Sequence, residues 1–219
     1  MSRIGVVGEH RALLGESPVW SSGDSSVYWV DIEGRRLFRW RWSLSAATAE
    51  VDADAPDVAS WDLPGRPTFA ALTEDPGVLV VGLEGDVAVF DTATESVQKL
   101  LTLEHHPRVR LNDARVDPRG RLWAGSMDEG ERSDDGFPAG HLFRVDGRGS
   151  ASTIVEGVAT SNGLAFAPDG STMYWTDTQE EVVWAFDYDV ETGSLANRRA
   201  FFDFAPLPGK PDEIGRAHV

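Results

Sequence analysis

The sequence contains no cysteine among its 219 residues. Disulfide bonds, thiolate metal sites and cysteine nucleophiles are therefore excluded. Positive charge is also scarce, because 20 Lys and Arg residues stand against 36 Asp and Glu residues, giving a formal net charge of -16. Nucleic acids and anionic membranes are bound through basic surfaces, so neither is expected as a partner.

Long apolar runs are missing as well. The opening residues, MSRIGVVGEHRALLGE, lack the apolar stretch of a signal peptide, and no later run approaches the length of a membrane span. We therefore expect a cytoplasmic protein. With 41% hydrophobic and 26% charged residues, the chain can bury a core, so disorder is not expected.

Helical periodicity is almost absent, and 22 Gly and 12 Pro are spread along the chain. Short runs of alternating character occur instead, in four pairs, each pair preceded by a Gly-containing turn. The pairs are 27–31 with 36–40, 78–82 with 87–91, 121–125 with 141–146, and 173–177 with 183–187.

Four residues occupy equivalent places in these repeats, about 43 to 52 residues apart: Trp29, Val80, Trp123 and Trp175. A period of roughly 40–50 residues built from short strands is typical of a β-propeller, with one four-stranded blade per repeat. A sandwich or barrel with frequent turns is the alternative. The shared strand-gap-strand pattern favours an all-β propeller with about four blades in this chain.

The stretch 110–128, RLNDARVDPRGRLWAGSMD, concentrates polar groups. Arg110, Asn112 and Asp113 come just ahead of a predicted turn at 117–120. Polar groups placed beside turns of a rigid β scaffold commonly bind ligands. Taken alone, Arg110 could equally be a surface residue, and Asn112 and Asp113 could form a turn.

Several segments together resemble the SMP-30/gluconolactonase/regucalcin-like family of sugar lactonases. They are LGESPVW (14–20), YWVDIEGRRLFRW (28–40), the stretch 110–128, SNGLAFAPDG (161–170) and WAFDYDVETGSLANRR (184–199), followed by Pro211 and Asp212. The resemblance implies a six-bladed propeller and a single domain over residues 1–212, with the C-terminal blades missing from this chain.

The last seven residues, EIGRAHV (213–219), fit no blade. They can be encoded by DNA that contains the read-through of a common sequencing adapter. We therefore expect residues 213–219 to be a non-native tail and the natural gene to continue. We also expect that the chain is inactive and does not form a monomeric, cooperatively folded protein, because missing blades would expose unpaired strand edges. A divergent natural tail is the alternative.

The resemblance also implies a metal site with three ligands, Glu16, Asn162 and Asp212. Without it, Glu16 would be a solvated loop acid, and Asn162 and Asp212 would be turn residues. Three oxygen ligands suit one hard divalent ion. Ca²⁺ is the expected cofactor, and Zn²⁺, Mg²⁺ or Mn²⁺ could take the same ligands.

The family's substrate contacts correspond to Arg110 and Asn112, whose donors and acceptors suit sugar hydroxyls and a ring ester. Asp113 is interpreted as a supporting residue or as a partner of metal-bound water. A further substrate-binding acid is expected after Met127. We assign it to Glu129, with Asp128 as the alternative.

The predicted function is metal-dependent hydrolysis of a sugar lactone, such as gluconolactone, to the aldonic acid. Asp212 would be the catalytic base, and the small-molecule lactone is the expected partner. The alternatives are a related propeller esterase or phosphotriesterase and a non-catalytic calcium-binding propeller. Structural roles are predicted for the histidines His10, His105, His106 and His141.

Overall fold

The computed structural model describes residues 10–42, 57–130 and 138–213. Every regular element in these ranges is a β-strand. In chain order the strands are β1 Gly15–Ser21, β2 Ser26–Asp31, β3 Arg36–Arg41, β4 Asp57–Asp62, β5 Pro67–Leu72, β6 Val78–Leu83, β7 Asp86–Asp91, β8 Ser96–Thr102, β9 Val109–Val116, β10 Leu122–Asp128, β11 Gly140–Val145, β12 Ala151–Val158, β13 Ser161–Phe166, β14 Thr172–Asp177, β15 Val182–Asp189 and β16 Ser194–Asp203.

The strands form four sheets of four strands, and within each sheet the strands neighbour one another in chain order. The pairings resolved between them are antiparallel. These meanders are four blades of a β-propeller, so the all-β prediction is confirmed. The predicted strand pairs are the second and third strands of each blade. The first strands (β1, β5, β9 and β13) and the fourth strands (β4, β8, β12 and β16) were not predicted.

The alternation that predicted the strands matches burial in β2 but not in β10, whose first five residues are all buried. In β2, Tyr28 and Val30 are almost wholly buried, whereas Val27 and Trp29 are only half-buried. The four marker residues of the repeats all lie on second strands, but at different depths. Trp123 and Trp175 are fully buried, whereas Trp29 is half-buried and stacks on Phe38 at a ring distance of 5.1 Å.

The chain divides into two compact units. The first contains residues 1–83 and 88–99, and the second contains residues 84–87 and 100–219. The core of the first unit is aliphatic with few rings, and it is built around Tyr28, Val30, Leu37, Leu79 and Phe90. The prediction of a single domain over residues 1–212 stays a prediction, and residues 214–219 lie outside the described ranges.

The second unit has an aromatic core around Trp123, Trp175, Phe186 and Tyr188. Close packing between its strands depends on Gly125, because a β-carbon there would collide with the side chain of Ser161. Ser161 in turn accepts a hydrogen bond of 2.8 Å from the indole N–H of Trp175. Glycine therefore lets β10 and β13 approach each other.

A buried carboxylate, Asp117, links the two blades of the second unit. It accepts hydrogen bonds from Tyr188 Oη at 2.5 Å, Arg121 Nε at 2.6 Å and Trp123 Nε1 at 3.2 Å. Burial alone would raise the pKa of Asp117, but the bonds from Tyr188 and Arg121 outweigh it and lower the pKa. The acid is thus held charged at the end of β9.

Two aspartates fasten the first strand of the first and fourth blades in the same way. Asp31 accepts the backbone N–H groups of Leu13, Leu14 and Gly34, each at 3.0 Å. Asp177 accepts those of Ala159 at 2.9 Å and of Thr160 and Gln179 at 3.1 Å. In both blades one oxygen takes one N–H and the other takes two, which fixes the two residues preceding β1 or β13.

The two aspartates differ in their electrostatic balance. Burial would raise the pKa of Asp31, but the hydrogen bonds from Leu14, Leu13 and Gly34, with the charge of Arg36, lower it. For Asp177, burial outweighs the corresponding hydrogen bonds, and the charge of Glu180 adds to its effect, so the pKa is raised. The same hydrogen-bond pattern therefore holds two carboxyl groups of opposite pKa shift.

The first strands β1 and β13 share a bulge. Glu16 pairs with Val30 and the next pairing joins Val19 to Tyr28. Asn162 likewise pairs with Thr176, and the next pairing joins Ala165 to Tyr174. Between these pairs two residues of the first strand thus lie opposite one residue of the second, which is the signature of a β-bulge. Bulges commonly redirect side chains at functional sites.

No helix in the described ranges is long and apolar enough to cross a membrane.

Candidate functional site

The candidate site of the second unit begins on β9. Arg110 and Asn112 lie two residues apart on this strand and therefore on the same face. The sequence placed them ahead of a turn, but they lie inside a strand of eight residues. Arg110 is 6% exposed, and its Nη1 donates to Asn112 Oδ1 at 2.8 Å and to the Leu111 carbonyl at 2.9 Å.

Glu129 follows β10 directly and pairs with Arg110, whose Nε donates to Glu129 Oε1 at 2.9 Å. The neighbouring acid, Asp128, instead contacts Arg108 at 3.2 Å. The structure therefore brings Glu129, the acid we assigned after Met127, into the candidate site. Asp128, the alternative, is directed to a different arginine.

Asn112 connects Arg110 to the next blade. Its Nδ2 donates to Asn162 Oδ1 at 2.6 Å and to the carbonyl oxygen of Ser161 at 2.9 Å. Both N–H groups of this amide are thus engaged within the protein. Toward a sugar, Asn112 offers only the remaining acceptor capacity of Oδ1, whereas the sequence suggested both donation and acceptance.

Asn162 is the second member of β13 and is 8% exposed. The following residue, Gly163, has a φ of 51°, and the bulge of β13 begins here. Glycine readily adopts this left-handed conformation, in which most residues are strained. Asn162 was expected in a turn, but it lies inside a strand, at the start of a bulge.

The other end of the Asn162 amide leads to a residue that the sequence analysis missed. Asn162 Nδ2 donates to Thr178 Oγ1 at 2.8 Å, and Thr178 Oγ1 donates to the carbonyl oxygen of Pro211 at 2.8 Å. Asp212 follows Pro211 directly. Thr178 is the first residue after β14, in the run YWTDT, and nothing in that run distinguishes it from a turn residue.

A continuous hydrogen-bonded chain therefore runs through the second unit, and we call it the site chain. Its members are Glu129, Arg110, Asn112, Asn162, Thr178 and the carbonyl of Pro211. It joins the three predicted substrate-binding residues to one predicted metal ligand and to the segment that carries a second, Asp212.

Asp113, beside the site chain, is held by backbone groups. Its Oδ1 accepts the N–H of Ala114 at 2.8 Å, and its Oδ2 accepts that of Leu164 at 3.2 Å. Burial, followed by the negative charge of Glu213, raises the pKa of Asp113 to about 7. The pKa of Glu213 is also raised, by burial and then by the charge of Asp212. The acidic groups Asp113, Asp212 and Glu213 thus influence one another's protonation at this end of the site chain.

The remaining predicted ligand, Glu16, belongs to the first unit. It is half-buried in β1, although the sequence placed it just before a strand. The next residue, Ser17, has a φ of 53°, and its Oγ accepts the N–H of Ala70 at 3.1 Å. This hydrogen bond ties the bulge of β1 to β5.

The oxygen donors of the second unit suit a hard divalent ion. Asn162 Oδ1 accepts one hydrogen bond, from Asn112, and an amide oxygen has two lone pairs. In the described ranges no three His, Cys, Asp or Glu side chains are grouped to bind one ion. A metal ion here would therefore depend on the amide oxygen of Asn162 in addition to carboxylates.

His10, His106 and His141 each contact a neighbouring group of the protein. His141 Nδ1 lies 2.8 Å from Glu104 Oε1, and Ser126 Oγ donates to the same oxygen at 2.5 Å. Although Ser, His and an acid meet here, the serine hydroxyl donates to the acid and not to the imidazole. A nucleophilic serine needs the imidazole as its base, so this cluster lacks the required arrangement.

Comparison with known proteins gives relatives over almost the whole chain. An L-arabinolactonase of Azospirillum brasilense is 33% identical over 208 residues, which cover 94% of this chain and 65% of that protein. A pentonolactonase of Haloferax volcanii is 32% identical over 203 residues, covering 91% and 62%. The chain thus spans a little less than two thirds of the length of these relatives.

Among solved structures, a luciferin-regenerating enzyme matches with a TM-score of 0.79 and 27% identity, covering 92% of this chain and 65% of that one. The family model described as the SMP-30/gluconolactonase/LRE-like region matches residues 14–215, and so includes every predicted site residue. On this match, the chain belongs to the SMP-30/gluconolactonase/LRE-like family.

Proposed function

We propose that the protein hydrolyses a sugar lactone to the aldonic acid with the help of one divalent metal ion, Ca²⁺ in the first instance. The observation that carries the proposal is the site chain, which joins a buried arginine to an amide oxygen suited to a metal. The names of two relatives, an L-arabinolactonase and a pentonolactonase, support the substrate class. The proposal includes the six-bladed ring for the complete protein.

Arg110 is the principal substrate-binding group in this proposal. Its Nε and Nη1 are engaged by Glu129, Leu111 and Asn112, which fixes the guanidinium plane. Its remaining N–H groups, on Nη2, can donate to sugar hydroxyls or to the ring ester. Glu129 balances the charge of Arg110 and can accept a hydrogen bond from a hydroxyl. A fixed donor-acceptor pair of this kind orients a polyhydroxylated ring.

The metal ion would be held by Asn162, Asp212 and Glu16. When bound, such an ion supplies a Lewis acid that polarises the lactone carbonyl. Asp113 itself is held by backbone N–H groups and serves as a supporting residue.

Asp212 is proposed to take the proton from the attacking water. A carboxylate that binds a divalent cation directly has its charged form favoured and is a weaker base, so the two roles compete. Asp212→Asn keeps one oxygen ligand but cannot act as the base, whereas Asp212→Ala removes both. Measuring the hydrolysis rate and the bound metal of both variants separates the roles. Full activity in both would contradict the assignment.

The proposal is tested by proton release from glucono-1,5-lactone and L-arabinono-1,4-lactone in the presence of the complete protein, with and without EDTA. We expect hydrolysis that EDTA abolishes and added Ca²⁺ or Mn²⁺ restores. Arg110→Met should lower kcat/KM by roughly 100-fold, since it removes charged hydrogen bonds worth about 1.5–3 kcal/mol each. Arg199→Met is the matched control, because Arg199 forms an exposed ion pair with Asp187.

The outcomes separate the competing functions. Hydrolysis unaffected by EDTA would refute the proposed requirement for a metal ion. Metal binding without lactone hydrolysis would favour the non-catalytic calcium-binding propeller. Hydrolysis of aryl esters or phosphotriesters in preference to lactones would favour the related esterase, because apolar esters do not need the donors of Arg110.

A further inference from the structure

Thr178 occupies a fixed position between two parts of the candidate site. Its backbone N–H donates to the Thr160 carbonyl at 2.9 Å, and the preceding residue, Asp177, is bound to Thr160 and Gln179. The Thr178 hydroxyl is therefore presented from an immobile turn. No part of the predicted substrate or metal set includes it.

The chemistry of the hydroxyl determines the direction of its two hydrogen bonds. The Pro211 carbonyl can only accept, so the single hydroxyl hydrogen of Thr178 is committed to it at 2.8 Å. Toward Asn162, at 2.8 Å, Thr178 Oγ1 can then only accept. The atom of Asn162 at this position must be the nitrogen, which places Oδ1 on the opposite side.

The other end of the site chain leads to the same orientation independently. Arg110 can only donate, so the Asn112 atom at 2.8 Å from its Nη1 must be the oxygen. The Ser161 carbonyl can only accept, so the Asn112 atom at 2.9 Å must be the nitrogen. Asn112 Nδ2 therefore faces Asn162 and requires an oxygen there, at 2.6 Å. The amide orientations, which are often ambiguous, are fixed here from both sides.

We infer that Thr178 is a positioning residue of the proposed metal site, an inference that rests on the proposed function. Its hydroxyl holds the Asn162 amide with Oδ1 directed away from Thr178. The same hydroxyl anchors the carbonyl of Pro211, the residue that precedes Asp212. One side chain thereby sets the orientation of one oxygen ligand and the backbone position of another. Residues that orient metal ligands in this way commonly influence affinity by about 10–100-fold.

The test is the affinity of the metal-free complete protein for Ca²⁺, measured by isothermal titration calorimetry. Thr178→Val keeps the shape but removes the hydroxyl, and we expect Ca²⁺ binding to weaken about tenfold or more. Thr178→Ser keeps the hydroxyl and should bind within about threefold of the wild type. Thr192→Val is the matched control, because it removes a hydroxyl from the turn that follows β15, where Thr192 Oγ1 contacts Ser194.

Two results would overturn the inference while leaving the proposed function intact: Thr178→Val binds Ca²⁺ as tightly as the wild type, or Thr178→Ser binds as weakly as Thr178→Val. If the wild type binds neither Ca²⁺ nor Mn²⁺, the proposed metal site is refuted, and the inference about Thr178 is refuted with it. These failures are therefore distinguishable.

A second measurement applies if Thr178→Val does not melt cooperatively. The side-chain amide protons of Asn162 can be followed in the wild type by hydrogen exchange in NMR spectra. We expect slow exchange for the proton directed at Thr178, and faster exchange for the same proton in Thr178→Ala. Rapid exchange of both protons in the wild type would overturn the inference.

Discussion

The first and fourth blades use the same backbone design for different chemistry. Each has a bulge in its first strand, after Glu16 in one and Asn162 in the other. Each fastens that strand with an aspartate, Asp31 or Asp177, in the same two-oxygen pattern. They differ in the side chain at the bulge, in the residue that follows it, and in the pKa of the aspartate. The backbone of a blade thus sets where the side chain at the bulge is placed, and the sequence sets which chemical group it carries.

The largest effect is expected from removing the side chain at each bulge. Glu16→Ala and Asn162→Ala should each lower kcat for lactone hydrolysis by about 1,000-fold, or roughly 4 kcal/mol, since each removes a proposed metal ligand. Asn162→Ala should raise KM more than Glu16→Ala does, because Asn112 then loses an acceptor and no longer orients Arg110. Steady-state kinetics at saturating Ca²⁺ measures both. Equal KM values in the two variants would show that Asn162 does not support the substrate residues.

The next effect concerns the fastening aspartates. Asp31→Ala and Asp177→Ala each leave three backbone N–H groups without a carboxylate acceptor. We expect each to lower the free energy of unfolding by about 3 kcal/mol, as measured by urea denaturation. The exposed aspartate Asp203 provides a control, since Asp203→Ala affects a single bond to Ala205. If only one of the two substitutions lowers the free energy of unfolding, the shared hydrogen-bond pattern does not stabilise both blades equally.

Exchanging the residues after the bulges should have a smaller effect. Gly163→Ser gives the fourth blade the residue of the first, and a side chain at a φ of 51° should cost about 1–2 kcal/mol. Ser17→Gly makes the reverse exchange. It relieves strain at a φ of 53° but removes the acceptor of the Ala70 N–H, so the net change should stay below about 1 kcal/mol. Thermal unfolding of both variants tests whether Gly163→Ser destabilises the protein more than Ser17→Gly does. An equal loss of stability in the two variants would contradict this prediction.

The smallest effect is a difference in pH dependence, of about 1 kcal/mol. The pKa of Asp31 is lowered below its ordinary value of 3.8, so its ionised form stabilises the fold at neutral pH, and this stability is lost as the pH falls through the lowered pKa. The pKa of Asp177 is raised above 3.8, so its contribution is present at low pH and is lost as the pH rises through the raised pKa. The loss in the free energy of unfolding caused by Asp31→Asn should decrease as the pH falls. The loss caused by Asp177→Asn should increase.

This comparison is measured as the free energy of unfolding of each variant and the wild type between pH 7 and pH 3. The two differences from wild type should change in opposite directions with pH. Curves that change in the same direction would mean that burial does not outweigh hydrogen bonding at Asp177.

Much of the fold could be predicted from local pattern. Alternation and Gly-containing turns identified the second and third strand of every blade, because those strands are regular and continuous. The first strands were missed, since their bulges interrupt the alternation at Glu16 and Asn162. For the same reason Arg110 and Asn112 were expected near a turn and were found within β9.

The site was predictable to the extent that its members lie in recognisable segments. Arg110, Asn112, Glu129 and Asn162, which the family resemblance selected, are joined by hydrogen bonds, and their roles stay predictions. Thr178 was not predictable, because its role depends on a carbonyl 33 residues away. The pairing of Glu129 with Arg110 was likewise set by the register of β9 and β10, which the sequence leaves open.

The site chain also has an electrical consequence. Every donor between Arg110 and Pro211 points the same way, from the guanidinium toward the carbonyl oxygen, and no member can reverse without the others. Aligned dipoles of this kind polarise one another, so each bond is strengthened by the one before it. The positive charge of Arg110 therefore acts beyond its immediate contacts, because it makes the side-chain N–H groups of Asn112 and Asn162 and the hydroxyl of Thr178 better donors than they would be alone. Neutralising that charge should loosen the chain as far as Pro211.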